Sequence, residues 1–119
     1  MIKKEPKVSI IMGVFNCQDT LVESIDSLLK QTFQDFNVVI CDDGSTDDTY
    51  IIAKKYHEKY PDKFILLRNL ENRGLNYTLN VCLQYAKGEY IARMDGDDIS
   101  LPIRLNKQVE FLDEHNEFH

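Results

Sequence analysis

No segment of this chain approaches the roughly 18–20 consecutive apolar residues that a membrane-spanning helix requires. The opening residues, Met1-Ile2-Lys3-Lys4-Glu5-Pro6, carry no apolar signal core. The compartment expected from these absences is the cytoplasm, with the inner face of the membrane as the site of action of a longer protein. Basic residues are also scarce: 14 Lys and Arg stand against 20 Asp and Glu, for a net charge of −6. A nucleic-acid backbone selects a basic patch and an anionic lipid surface selects a polybasic cluster. Lys3, Lys4 and Lys7 are too few for either, so no nucleic acid is expected as a partner. The three cysteines, Cys17, Cys41 and Cys82, are odd in number and lack C-x-x-C spacing, which argues against a disulfide framework or a zinc site. Cys41 and Cys82 fall in apolar patterns and read as buried thiols. His57, His115 and His119 form no cluster and read as solvated. Three signatures are missing too. There is no G-x-x-x-x-G-K-[ST] phosphate loop and no G-x-S-x-G nucleophile elbow. The stretch Gly13-Val14-Phe15-Asn16-Cys17-Gln18 lacks the second and third glycines of a dinucleotide fingerprint.

What is present is ordinary for one folded domain: 119 residues, 43% hydrophobic and 29% charged. Val8 to Phe15 is a nearly continuous apolar run, which suits a strand buried on both faces. Leu21, Ile25, Leu28 and Leu29 then recur at helical spacing, with Asp19 or Thr20 as N-cap. Phe36 to Cys41 predicts a second strand, and Ser45 or Asp47 is placed to cap a helix through Ile51, Ile52, Lys55 and Tyr56. Phe64 to Leu67 predicts a third strand. Leu75 to Ala86 predicts a helix stopped by Gly88, Glu89 to Met94 a fourth strand, and Pro102 the opening of a last helix. Strand and helix alternate four times, with connections too long for hairpins. The fold class expected is therefore α/β, a largely parallel sheet with helices on both faces. A helix such as 102–115 should return to another strand, and the chain stops at Glu117-Phe118-His119, where that strand would begin. The sequence accordingly reads as a fragment of a longer protein.

The polar clusters all fall at the carboxyl ends of the predicted strands, the edge where open α/β sheets bind ligands. Asn16 follows strand 1, Asp42 and Asp43 end strand 2, Asn72, Arg73 and Gly74 follow strand 3, and Asp95, Asp97 and Asp98 end strand 4. Three carboxylates in Asp95-Gly96-Asp97-Asp98 repel one another. A hard divalent cation, Mg²⁺ or Mn²⁺, relieves that repulsion and can also hold substrate phosphates, and Gly96 lets the backbone approach the ion. A solvated acidic turn that caps the next helix is the alternative. A carboxylate of Asp42 or Asp43 can accept an N–H from a nucleobase or a ribose hydroxyl, or else serve only the turn at Gly44-Ser45. Arg73 can offer a cation to a diphosphate or stand as a solvated loop residue.

Taken together, Val8–Asn16, Gln31-Thr32-Phe33, Asp42-Asp43-Gly44-Ser45-Thr46-Asp47, Asn72-Arg73-Gly74 and Gly88-Glu89-Tyr90-Ile91 with Asp95-Gly96-Asp97-Asp98 resemble the family 2 glycosyltransferases of the GT-A fold. The likeness runs over roughly residues 7 to 115. It implies a Rossmann-like, nucleotide-sugar-binding half-domain spanning 1–119, with the acceptor-binding part absent. The activity implied is inverting transfer of a sugar from a nucleotide diphosphate donor, UDP-linked by preference, to an acceptor hydroxyl in glycan or cell-surface polysaccharide synthesis. The acceptor would be a glycan or a lipid-linked sugar. By the resemblance, Asp43 reads the base, Gly13, Phe15 and Asn16 line the base pocket, Asp95 and Asp97 touch ribose and metal, and Asp98 assists. The catalytic base is expected beyond residue 119, so the 119-residue chain is expected to bind donor without transferring it, and its truncated sheet edge to favour self-association. Asp47→Asn, at a helix start, is expected to cost much less than Asp43→Asn. The rival readings are a sugar-nucleotide-binding module without turnover and a nucleotidyltransferase.

Overall fold

In the computed structural model, which describes residues 5–114, four strands alternate with four helices. The strands are β1 (Val8–Val14), β2 (Phe36–Asp43), β3 (Phe64–Asn69) and β4 (Tyr90–Arg93); the helices are α1 (Leu21–Leu29), α2 (Thr49–Lys59), α3 (Leu75–Leu83) and α4 (Arg104–Glu114). The sheet order is β3-β2-β1-β4, and every pairing is parallel. β1 is central, with Val8 opposite both Phe36 and Tyr90.

Alternation along the strands divides the core. Ile10, Met12 and Val14 of β1 and Val38 and Ile40 of β2 face α1, α2 and α4, packing against Leu21, Ile25, Leu28, Ala53, Leu105 and Val109. Ile11, Val39 and Cys41 face the other way, onto Cys82 and Leu79 of α3. Helices thus cover both faces, which is why β1 and β2 read as apolar runs rather than alternating ones. Chain order runs β1, β2, β3 outward on one side, and β4 then returns to the far side of β1. The order therefore reverses between β1 and β4.

Several boundaries differ from those the sequence suggests. β3 continues through Arg68 and Asn69, which pair with Asp42 and Asp43; polar side chains hid that extension. α3 ends at Leu83, and residues 84–86 continue in tighter three-residue turns, Gln84 N–H donating to Val81 and Tyr85 N–H to Cys82. α4 starts at Arg104, two residues past Pro102, whose carbonyl accepts the Thr32 N–H at 2.8 Å. Thr20 is the N-cap position of α1 but makes no capping bond, because its hydroxyl donates to the Gly96 carbonyl at 2.8 Å. His57 is half-buried rather than solvated, its Nδ1 2.8 Å from the Phe64 carbonyl. His115 and His119, like the end of the chain at 117–119, lie outside the described residues.

Gly88 does not terminate a helix. It lies where the chain enters β4, and its N–H donates to the Ser9 hydroxyl at 2.8 Å. A Cβ there would stand 2.4 Å from the Ser9 backbone nitrogen and 2.7 Å from the Val8 carbonyl carbon. Neither atom can give way without moving the central strand. Gly88→Ala is expected to destabilise the domain by about 1–3 kcal/mol, as overpacking of a filled site does. Urea denaturation should show the loss, while Leu70→Ala, at a residue 97% exposed, leaves the midpoint unchanged.

Candidate donor-binding cleft

The loops that follow β1 and β4 enclose an open cleft of about 470 Å³ at the point where strand order reverses. Ligand pockets commonly have this size, and α/β sheets bind ligands at this place. Its walls are Gly13, Phe15, Asn16 and Cys17 from the end of β1, Asp19 and Thr20 from the entry to α1, Leu75 from α3, and Asp95, Gly96 and Asp97 from the turn after β4. Gly13 is required by packing: a Cβ on it would lie 3.0 Å from Leu75 Cδ1 and 3.2 Å from Thr78 Cγ2. Phe15, in this lining, is exposed to 47%.

The acidic turn is held by α1 and by itself. Met94, fully buried, extends the β4 pairing by donating its N–H to the Ile11 carbonyl. The Ser24 hydroxyl reaches the carbonyl oxygens of Asp95 and Asp98, and Thr20 holds that of Gly96. Asp98 Oδ2 accepts the Asp95 N–H at 3.0 Å, closing the turn. One carboxylate oxygen from each of Asp95, Asp97 and Asp98 can be chosen so that all three lie within 4.8 Å of one another. All-oxygen donors at that spacing fit Mg²⁺ or Mn²⁺, with waters or phosphate oxygens completing the shell. Gly96 answers a different need from the one its sequence position suggests. A Cβ there would meet Cys17 Sγ at 2.6 Å, so the glycine admits the cysteine rather than an ion.

The ionisable residues lining the cleft are Asp19, Asp95 and Asp97, with Cys17, and the lining includes no Lys, Arg or His. Arg93 touches Asp95 from outside the lining, Nε to Oδ1 at 3.1 Å, both side chains being about half exposed. Burial pushes the Cys17 thiol up, so it sits in the wall as a neutral group.

Asp42, Asp43 and Arg73 do not line this cleft. Asp43, 4% exposed, fastens the loop after β3. Its Oδ1 accepts the Asn69 side-chain amide at 2.9 Å and the Arg73 N–H at 2.7 Å, and its Oδ2 accepts the Gly74 N–H at 3.0 Å. Burial pushes its carboxyl up, but the bonds from Arg73, Asn69, Gly74 and Thr78 more than offset this and hold it below the ordinary aspartate value. Asp42, fully buried, accepts the Ser45 N–H at 3.2 Å and stands 3.7 Å from Arg68 Nε; its Oδ1 has no hydrogen-bond partner. Arg73 is exposed, its guanidinium 3.6 Å from Glu71 and 5.5 Å from the Tyr77 ring. Gly44, with φ at 73°, is forced twice over, since a Cβ would also stand 2.6 Å from the Glu71 carbonyl carbon.

Of the predicted residues, then, Gly13, Phe15, Asn16, Asp95 and Asp97 meet in one cleft, Asp98 adjoins it through the turn, and Asp42, Asp43 and Arg73 lie beside it as framework. Cys17, Asp19, Thr20 and Leu75 line it without having been anticipated. The first three follow directly on Asn16, whereas Leu75 arrives only because α3 packs on Gly13.

A parallel α/β sheet with an acid-rich cleft at its switch point places the chain in the class of open α/β domains that bind ligands at the carboxyl edge of the sheet. Comparison with known proteins then assigns the chain. Residues 9–118 match the model of glycosyl transferase family 2, and the chain belongs to that family. It is 51% identical to EpsE of Bacillus subtilis over 113 residues, 95% of this chain and 41% of that protein. It is 36% identical to the Escherichia coli UDP-Glc:alpha-D-GlcNAc-diphosphoundecaprenol beta-1,3-glucosyltransferase WfaP, over 93% of this chain and 43% of that protein. Among solved structures it resembles S. aureus TarS residues 1–349 in complex with UDP, with a TM-score of 0.84 at 34% identity, covering 92% of this chain and 33% of that one. It also resembles the mannosyltransferase PcManGT of Pyrobaculum calidifontis in complex with GDP-Man and Mn²⁺, with a TM-score of 0.83 at 28% identity and the same coverage. The fold is that of the GT-A glycosyltransferases, and the chain spans about two fifths of the length of EpsE and WfaP.

The Asp43 bonds make stability depend on pH. A carboxyl whose folded value is depressed contributes stability above its unfolded value, about 3.9, and loses it as pH falls through the folded value. Asp43→Asn should therefore cost about 1.5–3 kcal/mol at pH 7, the worth of hydrogen bonds to a charged group. The gap to wild type should narrow below about pH 4. Urea midpoints at pH 7, 5 and 3 check this; a gap that does not change with pH would show that the charge of Asp43 is not what holds the loop.

Proposed function

We propose that this chain is the donor-binding part of an inverting glycosyltransferase that transfers a sugar from a UDP-sugar to an acceptor hydroxyl in glycan or polysaccharide synthesis. The observation that carries the reading is the charge of the cleft. Its lining holds Asp19, Asp95 and Asp97 and no Lys, Arg or His, so a dianionic ligand is repelled unless it brings a cation that Asp95, Asp97 and Asp98 hold in common. That ion, Mn²⁺ or Mg²⁺, would neutralise the charge that develops on the leaving nucleoside diphosphate. Asp97, whose side chain makes no bond within the turn, is the residue best placed to coordinate it directly.

The remaining roles belong to the chain's own residues. Phe15 offers its exposed ring to the nucleobase, and Asn16 and Gly13 shape the wall behind it. Asp43 is proposed to accept the base N–H with the acceptor capacity that its three N–H bonds leave. Arg73, exposed on the same sheet edge, is proposed to face the diphosphate. UDP is the favoured nucleotide because it occupies the TarS complex, and a sugar nucleotide with Mn²⁺ occupies the PcManGT complex. A lipid-linked acceptor is favoured by the diphosphoundecaprenol named for WfaP, which would place the reaction at the cytoplasmic face of a membrane. The base that activates the acceptor is assigned to the part of the relatives' length that this chain does not span.

Calorimetry with the 119-residue chain tests the reading. UDP is expected to bind in Mn²⁺ and to lose affinity in EDTA, and Asp97→Ala should abolish the difference. Equal affinity in both conditions would sink the metal role. Sugar transfer by this chain from a panel of UDP-sugars should be undetectable, because general-base assistance alone contributes about 10²–10⁴-fold.

Self-association belongs to the same reading. β4 is an edge strand, and Ile91 and Phe111 are about half exposed around a groove of about 500 Å³ between β4 and α4. Unpaired strand edges with apolar neighbours pair with other chains. Sedimentation velocity should show mass rising with concentration, and Ile91→Lys should suppress the rise.

A further inference from the structure

We infer that Asp47, which does not line the cleft, is a positioning residue for it, holding the wall formed by Asn16 and Cys17 through Thr49 and Gln18. The inference rests on the reading of this cleft as the donor site. Among the described residues Asn16 is the only non-glycine with a positive φ, 45°. Such backbone persists only where its surroundings over-determine it, and here the β2–α2 loop does so. The three successive N–H groups of the wall each donate to a side chain of that loop or of the helix start it leads into. Asn16 N–H donates to Ser45 Oγ at 2.9 Å, Cys17 N–H to Thr49 Oγ1 at 2.8 Å and Gln18 N–H to Asp47 Oδ2 at 3.3 Å. The loop's own N–H groups answer, Thr46 to Asn16 Oδ1 at 2.9 Å and Asp48 to Gln18 Oε1 at 3.0 Å.

Asp47 supplies the charged acceptor in this lattice and is reached along two of its strands. Its Oδ2 takes Gln18 directly. Its Oδ1 takes the Thr49 hydroxyl at 2.5 Å and the Thr49 N–H at 2.9 Å. Because Thr49 gives its proton to Asp47, its oxygen is free to accept from Cys17. A hydroxyl that donates to an anion is also the better acceptor. Thr49 is fully buried between the two links. The hold extends across the cleft. Cys17 O accepts the N–H groups of Thr20 and Leu21, and the Thr20 hydroxyl holds the Gly96 carbonyl in the acidic turn. Loosening residues 16–18 would therefore disturb both the aromatic side and the acidic side of the site. Asp47, whose Asn variant is expected to cost much less than that of Asp43, would thus do more than start a helix.

The test combines UDP calorimetry in Mn²⁺ with amide hydrogen exchange on wild type, Asp47→Ala and Thr49→Val. Thr49→Val keeps the shape of the buried side chain and removes only the hydroxyl link. Both variants should bind UDP about tenfold more weakly, one lost pre-organising contact to a charged group. Both should exchange faster at Asn16, Cys17 and Gln18, with the amides of β1 and β2 unchanged. Asp47→Asn, which keeps one acceptor oxygen for Thr49, should lie between wild type and Asp47→Ala. Tyr56→Phe, which removes the 2.7 Å bond to Asp26 between α2 and α1, should leave UDP affinity at the wild-type value. A loss there equal to that of Asp47→Ala would reduce Asp47 to general stability and overturn the inference. If wild type binds UDP and both relay variants bind it equally well, the donor-site reading stands and the positioning role falls. If wild type binds no UDP in Mn²⁺, the donor-site reading fails and the inference falls with it.

Discussion

Everything in this domain is registered on β1. It is paired in parallel on both sides and packed on both faces, and its core side chains from Val8 to Val14 are at most 6% exposed. A strand so enclosed can leave the sheet only at its ends, and in a parallel sheet all carboxyl ends lie at one edge. The chain emerging at Phe15-Asn16 therefore lies between the loops that follow β2 and β4. The reversal of strand order on either side of β1 opens a gap there that no further strand fills. The cleft is a consequence of that topology before any particular side chain is considered.

The loops at that edge have backbone N–H groups that the strand ladder does not satisfy, and buried donors must find acceptors. In this protein the acceptors are largely short acidic and amide side chains. Asp43 takes two backbone N–H groups after β3, Asp47 takes those of Gln18 and Thr49, Asn16 takes Thr46, and Asp98 takes Asp95. Asp43, Asp47 and Asp98 thus fasten backbone at this edge whatever else they do. The same choice has a chemical result. Acids gathered at this edge also underlie the proposed need for a cation, since the carboxylates of Asp95, Asp97 and Asp98 stand within 4.8 Å of one another.

Close approach does the rest. Gly13 admits Leu75 of α3 and Gly96 admits Cys17, so that α3, the loop after β1 and the acidic turn share one wall; Gly88 lets the entry to β4 touch Ser9. Each of these glycines is set by a neighbour remote in sequence. A larger residue at any of them would separate two elements that the cleft needs together.

The sequence alone determined the element order, the α/β class, the burial of Cys41 and Cys82 and the edge at which the polar residues gather. These are carried by local periodicity and by runs of apolar residues, and burial on both faces is written directly in β1 and β2. It also marked Asn16, Asp95 and Asp97, because each lies just after the end of a strand, and Gly13 and Phe15 through the resemblance to the family. What it did not determine was which acids line the cleft and which face the backbone. Asp42, Asp43, Asp47, Asp95 and Asp97 are alike as letters, and all stand near strand ends. Only the tertiary structure brought Arg73 and Gly74 onto Asp43, Gln18 and Thr49 onto Asp47, and left Asp97 without a bond inside its turn. Whether a carboxylate is satisfied depends on N–H groups that arrive from about 30 residues away, and no local pattern records where those donors will be.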